Sequence, residues 1–241
     1  MTIKLAISGC RGRMGQRITD LAAQDKTFKI TALLENKDHP EAHGTMKDLP
    51  ISTDASALKG SQVLIEFTTP EATLEHLKAC EKFGVRMVIG TTGFTSAQIG
   101  VIKKTAKKIP IVFSSNMSVG VNLVFSQLRE LAQKTAGRYE VRIVEAHHIH
   151  KKDAPSGTAK TLAQIVQEAS GKKVEDIQSV RQGEIIGDHD VIFEGPFDTI
   201  TLRHHAKTRD IFAAGSLVAA KFLARKSKGL FNMEEVLARK S

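Results

Sequence analysis

Residues 3–15 read IKLAISGCRGRMG. Ile3–Ser8 is a short, mostly apolar run, and three glycines follow at Gly9, Gly12 and Gly15. From Arg13 to Ala23 the apolar residues recur with helical spacing. Strand, glycine turn and helix in that order predict the start of a parallel α/β sheet. Such a turn lets a pyrophosphate approach backbone N–H groups at the positive end of the helix dipole. The spacing is GxxGxxG, one residue longer than the usual fingerprint. A second strand, Phe28–Leu34, then delivers Glu35 20 residues after Gly15. A carboxylate there accepts hydrogen bonds from an adenosine ribose. The expected dinucleotide contacts are Gly9, Cys10, Arg11, Gly12, Arg13, Met14 and Glu35; a turn needed only for packing is the alternative. Glu35 repels a ribose 2′-phosphate, whereas Lys37, Arg11 and Arg13 offset that repulsion. Both NADH and NADPH are therefore expected cofactors.

Outward from this stretch, strands and helices keep alternating. Val63–Phe67, Arg86–Ile89 and Ile111–Phe113 read as buried strands. Helices are expected from Pro70 to about Lys82, and from a cap at Thr95 or Ser96 to about Lys108. Continuous apolar strands between helices indicate a parallel sheet covered on both faces. Ligands bind such sheets beyond the carboxyl ends of the strands. Two further loops lie there, and Gly90, Thr91, Thr92, Ser114, Ser115, Asn116 and Met117 are added as cofactor contacts. Ordinary turn chemistry is the competing reading of each loop. The irregular stretch 44–60 is read as a surface loop.

After Ser118 the pattern changes. A long helix (119–135), a strand (139–147) and a helix (157–169) are followed by strands around Val180, at 191–193 and at 199–204. Strands in succession suggest a separate α+β unit. A last helix spans 211–223. The fold class is α/β: a Rossmann-like parallel-sheet domain plus a second α+β domain with a mixed sheet. The expected boundaries are 1–117 for dinucleotide binding, 118–211 for the separate α+β unit, and 212–241 for a C-terminal segment returning to the first domain.

The net charge of +9 over 241 residues favours acidic partners. With no Trp and one Tyr, Tyr139, stacking platforms for nucleic acid are scarce, and no recognition module is visible. No nucleic-acid partner is expected. Cys10 and Cys80 make no disulfide framework. No apolar run is long enough to span a bilayer, and the first residues lack a signal-peptide pattern. A cytoplasmic enzyme without a membrane partner is expected.

The richest chemistry lies in residues 145–158, EAHHIHKKDAPSGT. A strand end carrying His147, His148 and His150 runs into Lys151 and Lys152, then into a helix capped by Ser156. Gly157 and Thr158 present N–H groups at that helix start, which suits a carboxylate. Histidine exchanges protons near neutral pH, and lysine holds a carboxylate or donates a proton. Two readings compete: a metal site built on His148, His150 and Asp153, and a basic surface strand with no role, which the adjacent helix start makes the weaker. The neighbouring lysines oppose a cation, so no metal is expected.

In order along the chain stand GCRGRMG, IEFTTPEAT, GTTGF, SSNMSVGVN, EAHHIHKKDAPSGTA and VRQGEIIGDHD. This series resembles the 4-hydroxy-tetrahydrodipicolinate reductase (dihydrodipicolinate reductase) family over nearly the whole chain. The resemblance implies NAD(P)H-dependent reduction of 4-hydroxy-tetrahydrodipicolinate to tetrahydrodipicolinate with loss of water, in diaminopimelate and lysine biosynthesis. It implies His147 and Lys151 as catalytic proton donors. It implies His148, Gly157 and Thr158 as contacts to a small dicarboxylate substrate, residues 118–211 as a substrate-binding and oligomerisation domain, and a homotetramer. Two departures stand out: Asn36 and Lys37 where many members carry Arg directly after the ribose-binding acid, and a short segment 174–179. The alternatives are another two-domain NAD(P)-dependent dehydrogenase of amino-acid metabolism, or a non-catalytic NAD(P)-binding regulator.

Overall fold

The computed structural model describes residues 2–238; Met1 and residues 239–241, the end of the expected returning segment, lie outside the described residues. The chain divides into two compact units. One runs to Ser118 and resumes at Phe212; the other is Val119–Ile211.

In the first unit β1 (Ile3–Ser8) leads into α1 (Arg13–Gln24), and β2 (Phe28–Leu34) follows. Next come β3 (Thr45–Met46), β4 (Leu49–Ser52), a 3-10 turn (Ala55–Leu58) and β5 (Val63–Glu66). α2 (Pro70–Phe83), β6 (Arg86–Ile89), α3 (Ser96–Thr105) and β7 (Pro110–Phe113) complete the N-terminal part. The helix starts are set by local chemistry. The Thr69 hydroxyl accepts from Ala72 N with Pro70 in the first turn, and Thr95 and Gln98 form a reciprocal capping box. Each such cap contributes about 1 kcal/mol.

The second unit holds α4 (Val119–Thr135), β8 (Glu140–His147), α5 (Gly157–Ser170), β9 (Ile177–Arg181), β10 (Asp188–Glu194) and β11 (Thr199–His205). α6 (Asp210–Leu223) begins at the boundary, and β12 (Gly229–Phe231) and α7 (Met233–Leu237) belong to the first unit.

The first unit's sheet has eight strands in the order β12-β7-β6-β5-β1-β2-β4-β3. Its pairings are parallel except β3 with β4. β1 lies between β5 and β2, so the chain reverses direction across the sheet there and opens a crevice at the carboxyl edge. A core of Leu34, Leu64, Leu77, Met87, Ile102 and Ile111 fixes the strands below that edge.

The second unit's sheet has the order β11-β10-β8-β9 and is mixed, with only β8 and β9 parallel. Phe125, Leu128, Leu162 and Val166 from α4 and α5 pack with Ile143, Val191 and Phe193 of the sheet.

One expectation needs correction. The stretch 44–60 is not a plain loop: β4 pairs in parallel with β2 and extends the sheet, burying Ile51 and Leu58. Its hairpin turns through Lys47 and Asp48 at φ of 52° and 60°, so the glycine that usually marks such a turn is absent. Beyond the expected helix at 211–223, β12 adds an edge strand beside β7. There Asn232 and Glu235 form a capping box for α7.

Candidate active site and cofactor loops

The glycine loop is shaped by close approach. Gly9 has φ +65°, and a Cβ on it would lie 2.9 Å from Thr68 Cγ2. A Cβ on Gly15 would lie 2.0 Å from Gly9 O, which no side chain tolerates. Gly12 caps α1 without a side chain, and the first turn carries no acid. N–H groups at this helix start have no side-chain cap, which suits a pyrophosphate.

Glu35 stands beside the loop and accepts from Arg11 N at 2.7 Å and Asn36 N at 2.9 Å. Lys37 and Arg13 are exposed. Arg11 does not reach toward an open phosphate position: its Nε pairs with Glu41 at 3.0 Å and its Nη2 donates to Thr45 O at 3.0 Å. Cys10 departs from the expected direct contact. Its side chain is fully buried, its N–H donates to Leu34 O, and burial with the Glu35 charge pushes its thiol up to about 11.

The later loops sit at the same sheet edge. Gly90 is obligatory, since a Cβ would lie 2.3 Å from the Phe67 ring. The Thr91 hydroxyl is turned inward, accepting from Thr68 N and from the Thr73 hydroxyl. Thr92 and Ser115 are exposed. Ser114 Oγ donates to Asn116 O, Asn116 Oδ1 accepts from Ser118 N, and the Met117 side chain is buried. Thr91 and Met117 therefore offer a ligand backbone rather than side chain.

Beneath these loops lies a pair that sequence reading missed. Glu66, at the end of β5, is 0% exposed. It accepts from the Thr68 hydroxyl and binds His76 Nδ1 at 2.8 Å. Burial pulls the His76 value down, but the Glu66 carboxylate outweighs it and the net shift is upward.

In the second unit, strand register builds a polar cluster. Alternation along β8 points Ile143, Glu145 and His147 to the core face. Glu145 is paired with His189 of β10, and His147 with Arg181 of β9. Glu145 is 0% exposed. Its Oε2 meets His147 Nδ1 and accepts from Arg181 Nη1 at 3.0 Å. Its Oε1 accepts from Arg181 Nη2 at 2.8 Å and Ser156 N at 3.2 Å. Burial alone would raise the Glu145 value; the Arg181 bonds, with those from Ser179 and His147, outweigh it and hold the carboxyl at about 2.

Burial lowers His147 below its usual value despite Glu145, with Lys151 and Arg181 adding to the drop. His189 packs edge-on to His147 with ring centroids 5.2 Å apart. Its Nε2 lies 3.3 Å from Ser156 Oγ, and burial with the His147 charge pushes it down to about 4. The buried His189 Nδ1 and His148 Nδ1 have no hydrogen-bond partner among the described residues.

The strand ends at His147, so His148 and His150 lie on a turn, not on one strand face. Their rings are 6.0 Å apart. Lys151 Nζ pairs with Asp153 at 2.8 Å. Ser156 caps α5 through Ala159 N, with Gly157 and Thr158 as the first helical residues. Ligand atoms of Glu145, His147 and His189 come within 4.8 Å of one another. Arg181 already engages both carboxylate oxygens, and its charge opposes a cation there.

Arg181, Gly187 and His189, to which the sequence alone assigns no role, all lie in the VRQGEIIGDHD stretch. Gly187 and His189 stand two apart, as Glu145 and His147 do, and that spacing is the signal in sequence; Arg181 carries none.

An uncapped helix start beside the Glu35 carboxylate, on a sheet of this order, defines the class: a dinucleotide-binding protein of the Rossmann type. Comparison with known proteins gives the family. Residues 3–117 match the family model "Dihydrodipicolinate reductase, N-terminus", and residues 120–237 match "Dihydrodipicolinate reductase, C-terminus". The chain belongs to the dihydrodipicolinate reductase family.

It is 40% identical to the 4-hydroxy-tetrahydrodipicolinate reductase of Nitrosomonas eutropha, over 98% of each chain. The reductase of Thiobacillus denitrificans is 39% identical over 100% of both. Among solved structures, dipicolinate-bound dihydrodipicolinate reductase from Paenisporosarcina sp. TG-14 superposes with a TM-score of 0.85 at 27% identity, covering 98% of this chain and 100% of that one. An amine dehydrogenase from Mycobacterium smegmatis shares the fold at a TM-score of 0.69 and 12% identity, over 99% and 98% of the chains.

Proposed function

We propose that this chain reduces 4-hydroxy-tetrahydrodipicolinate with NADH or NADPH, releasing water and tetrahydrodipicolinate, in diaminopimelate and lysine biosynthesis. The observation that carries this reading is the full-length similarity to reductases of that name, 40% identical over 98% of the chain.

The division of labour follows from the two polar centres. In the first unit the glycine loop would hold the pyrophosphate, Glu35 the ribose, and the loops at Gly90–Thr92 and Ser114–Met117 the rest of the cofactor. Bound NAD(P)H supplies the hydride. In the second unit Gly157 and Thr158 at the start of α5, with His148, would hold the substrate carboxylates. Reduction consumes one hydride and one proton and expels one hydroxyl as water. His147 and Lys151, on the same strand end and loop as the expected carboxylate contacts, would supply that proton. Lys151 is paired with Asp153 at 2.8 Å, so an incoming carboxylate replaces one carboxylate by another. A non-catalytic regulator would have no use for an imidazole held this way.

The other face of the four-stranded sheet, bearing Val144, Ile192 and Val180, is not covered by α4 or α5. Arg142–Glu194, Arg203–Asp190 and His205–Asp188 pairs run across it. This face suits copies of the same chain, in keeping with a homotetramer. No helix among the described residues is long and apolar enough to cross a membrane; a cytoplasmic setting fits the substrate.

The test is direct. Purified protein given the condensation product of pyruvate and aspartate semialdehyde should oxidise NADH or NADPH, followed by absorbance. Absence of turnover with both cofactors overturns the reading.

A further inference from the structure

We propose that Glu145, clamped by Arg181, is the positioning carboxylate of this site: it fixes the tautomer of His147 so that Nε2 is the atom that exchanges the proton. The inference rests on the reading above that His147 delivers that proton.

The geometry argues it in three steps. First, Glu145 stays ionised where it is. It is wholly buried, yet receives two bonds from Arg181 and one from Ser156 N, at 2.8 to 3.2 Å. Breaking a buried pair of this kind is strongly unfavourable. Second, an ionised carboxylate is only an acceptor. The imidazole nitrogen that faces it, Nδ1, must therefore carry the hydrogen. Third, the opposite nitrogen looks onto a residue without a side chain. The nearest approach to a Cβ position on Gly187 is His147 Nε2, at 3.1 Å. Nδ1 is committed to the protein and Nε2 is left for exchange.

The remaining charged and titratable neighbours fit this assignment. His189 on β10 is neutral across the working range and sits edge-on to the His147 ring. Arg181 on β9 is spent on Glu145, and Lys151 on the following loop is paired with Asp153. Glu145 is therefore the one carboxylate of this cluster that meets His147 among the described residues.

The proton balance is simple. The 4-hydroxyl leaves as water with a proton from the adjacent ring carbon, which creates a double bond; after hydride adds across it, the imidazolium, protonated on both nitrogens, gives its Nε2 proton to the reduced ring system. It is left as neutral imidazole with hydrogen on Nδ1, still bonded to Glu145. A proton from water restores it after product leaves.

A structural salt bridge would need Arg181 and Glu145 but not the bond to His147. Three measurements separate the two roles. Nitrogen NMR of histidine-labelled wild-type protein should find neutral His147 protonated on Nδ1; protonation on Nε2 overturns the proposal without any assay. Glu145→Gln should lower kcat at least about 100-fold, as loss of an orienting carboxylate does elsewhere. Its NADH dissociation constant, read by fluorescence, should stay within about twofold. Retention of kcat within threefold overturns the proposal.

If Glu145→Gln fails to fold, Glu145→Asp keeps the charge but retracts it. It should lower kcat about tenfold and shift the acid limb of the kcat profile; an unchanged profile counts against the proposal. Full turnover in His147→Gln would instead sink the underlying reading, so the two failures are distinguishable.

Discussion

Gly187 and His147 stand so close that a Cβ added to the glycine would lie 3.1 Å from His147 Nε2. Gly187 is not among the residues at positive φ, so its lack of a side chain serves space rather than backbone freedom. His147 cannot yield easily, because Glu145 holds its other nitrogen. Gly187→Ala should fold normally, keep NADH affinity, and lower kcat by about tenfold through displacement of the imidazole. Steady-state kinetics with a thermal melt check this; a kcat equal to wild type would mean that the ring shifts without cost.

His147→Gln and Lys151→Ala should each lower turnover far more than they weaken cofactor binding, by about 100-fold or more in kcat. Both residues lie in the second unit, away in sequence from the glycine loop. Fluorescence titration with NADH gives the comparison. Loss of NADH binding as the main effect in either variant would assign that residue to the cofactor instead.

Acidification should loosen the second unit before the first. Burial holds His189 at about 4, against 6.5 ordinarily, and lowers His147 and His204 as well. Between those values the unfolded chain binds more protons than the folded one. Their contribution is complete above pH 6.5 and is lost as pH falls, by on the order of 3 kcal/mol for His189. Glu145, at about 2, adds a loss of the same sign only below 4.5. His76 runs the other way: its value is raised, so its contribution is present below 6.5 and lost as pH rises through the folded value. Hydrogen exchange at pH 7.5 and pH 5, corrected for intrinsic rates, should show β8 and β10 losing protection while α2 does not. Equal loss in both would contradict the assignment.

Cofactor choice should respond to Glu41. Arg11 is held by Glu41 and Thr45 O rather than left free for a 2′-phosphate. Glu41→Ala releases the guanidinium. Exposed ion pairs of this sort are worth at most about 1 kcal/mol, so the ratio of kcat/KM for NADPH over NADH should rise by up to about fivefold. A ratio that falls or stays fixed would show that Arg11 has no part in the choice.

The long periodic segments were legible because local pattern determines them. β1, its glycine turn and α1 follow from residues 3–24 alone. β3 and β4 were not, since four alternating residues give little signal and Lys47 and Asp48 adopt φ values expected of glycine or asparagine. β12 is three residues long and is stabilised by β7, more than a hundred positions earlier. At the site, His147 and Lys151 were legible through crowding of basic residues beside a helix cap. Arg181, Gly187 and His189 were not assigned roles, because their convergence depends on register across three strands. Glu145 is in sequence one more acid, and only burial reveals what it holds.

The pairing of β12 with β7 has a consequence for how the molecule is made. Translation delivers β1 to β7 first, then the whole of the contiguous second unit, and only afterwards residues 229–231. Until then the nascent chain carries β7, Pro110–Phe113, as a bare apolar edge. Bare edges of this kind invite pairing with a neighbouring chain. A ribosome pausing within α6 would prolong that exposure, so the tempo of synthesis near the end of the message bears on the yield of soluble enzyme.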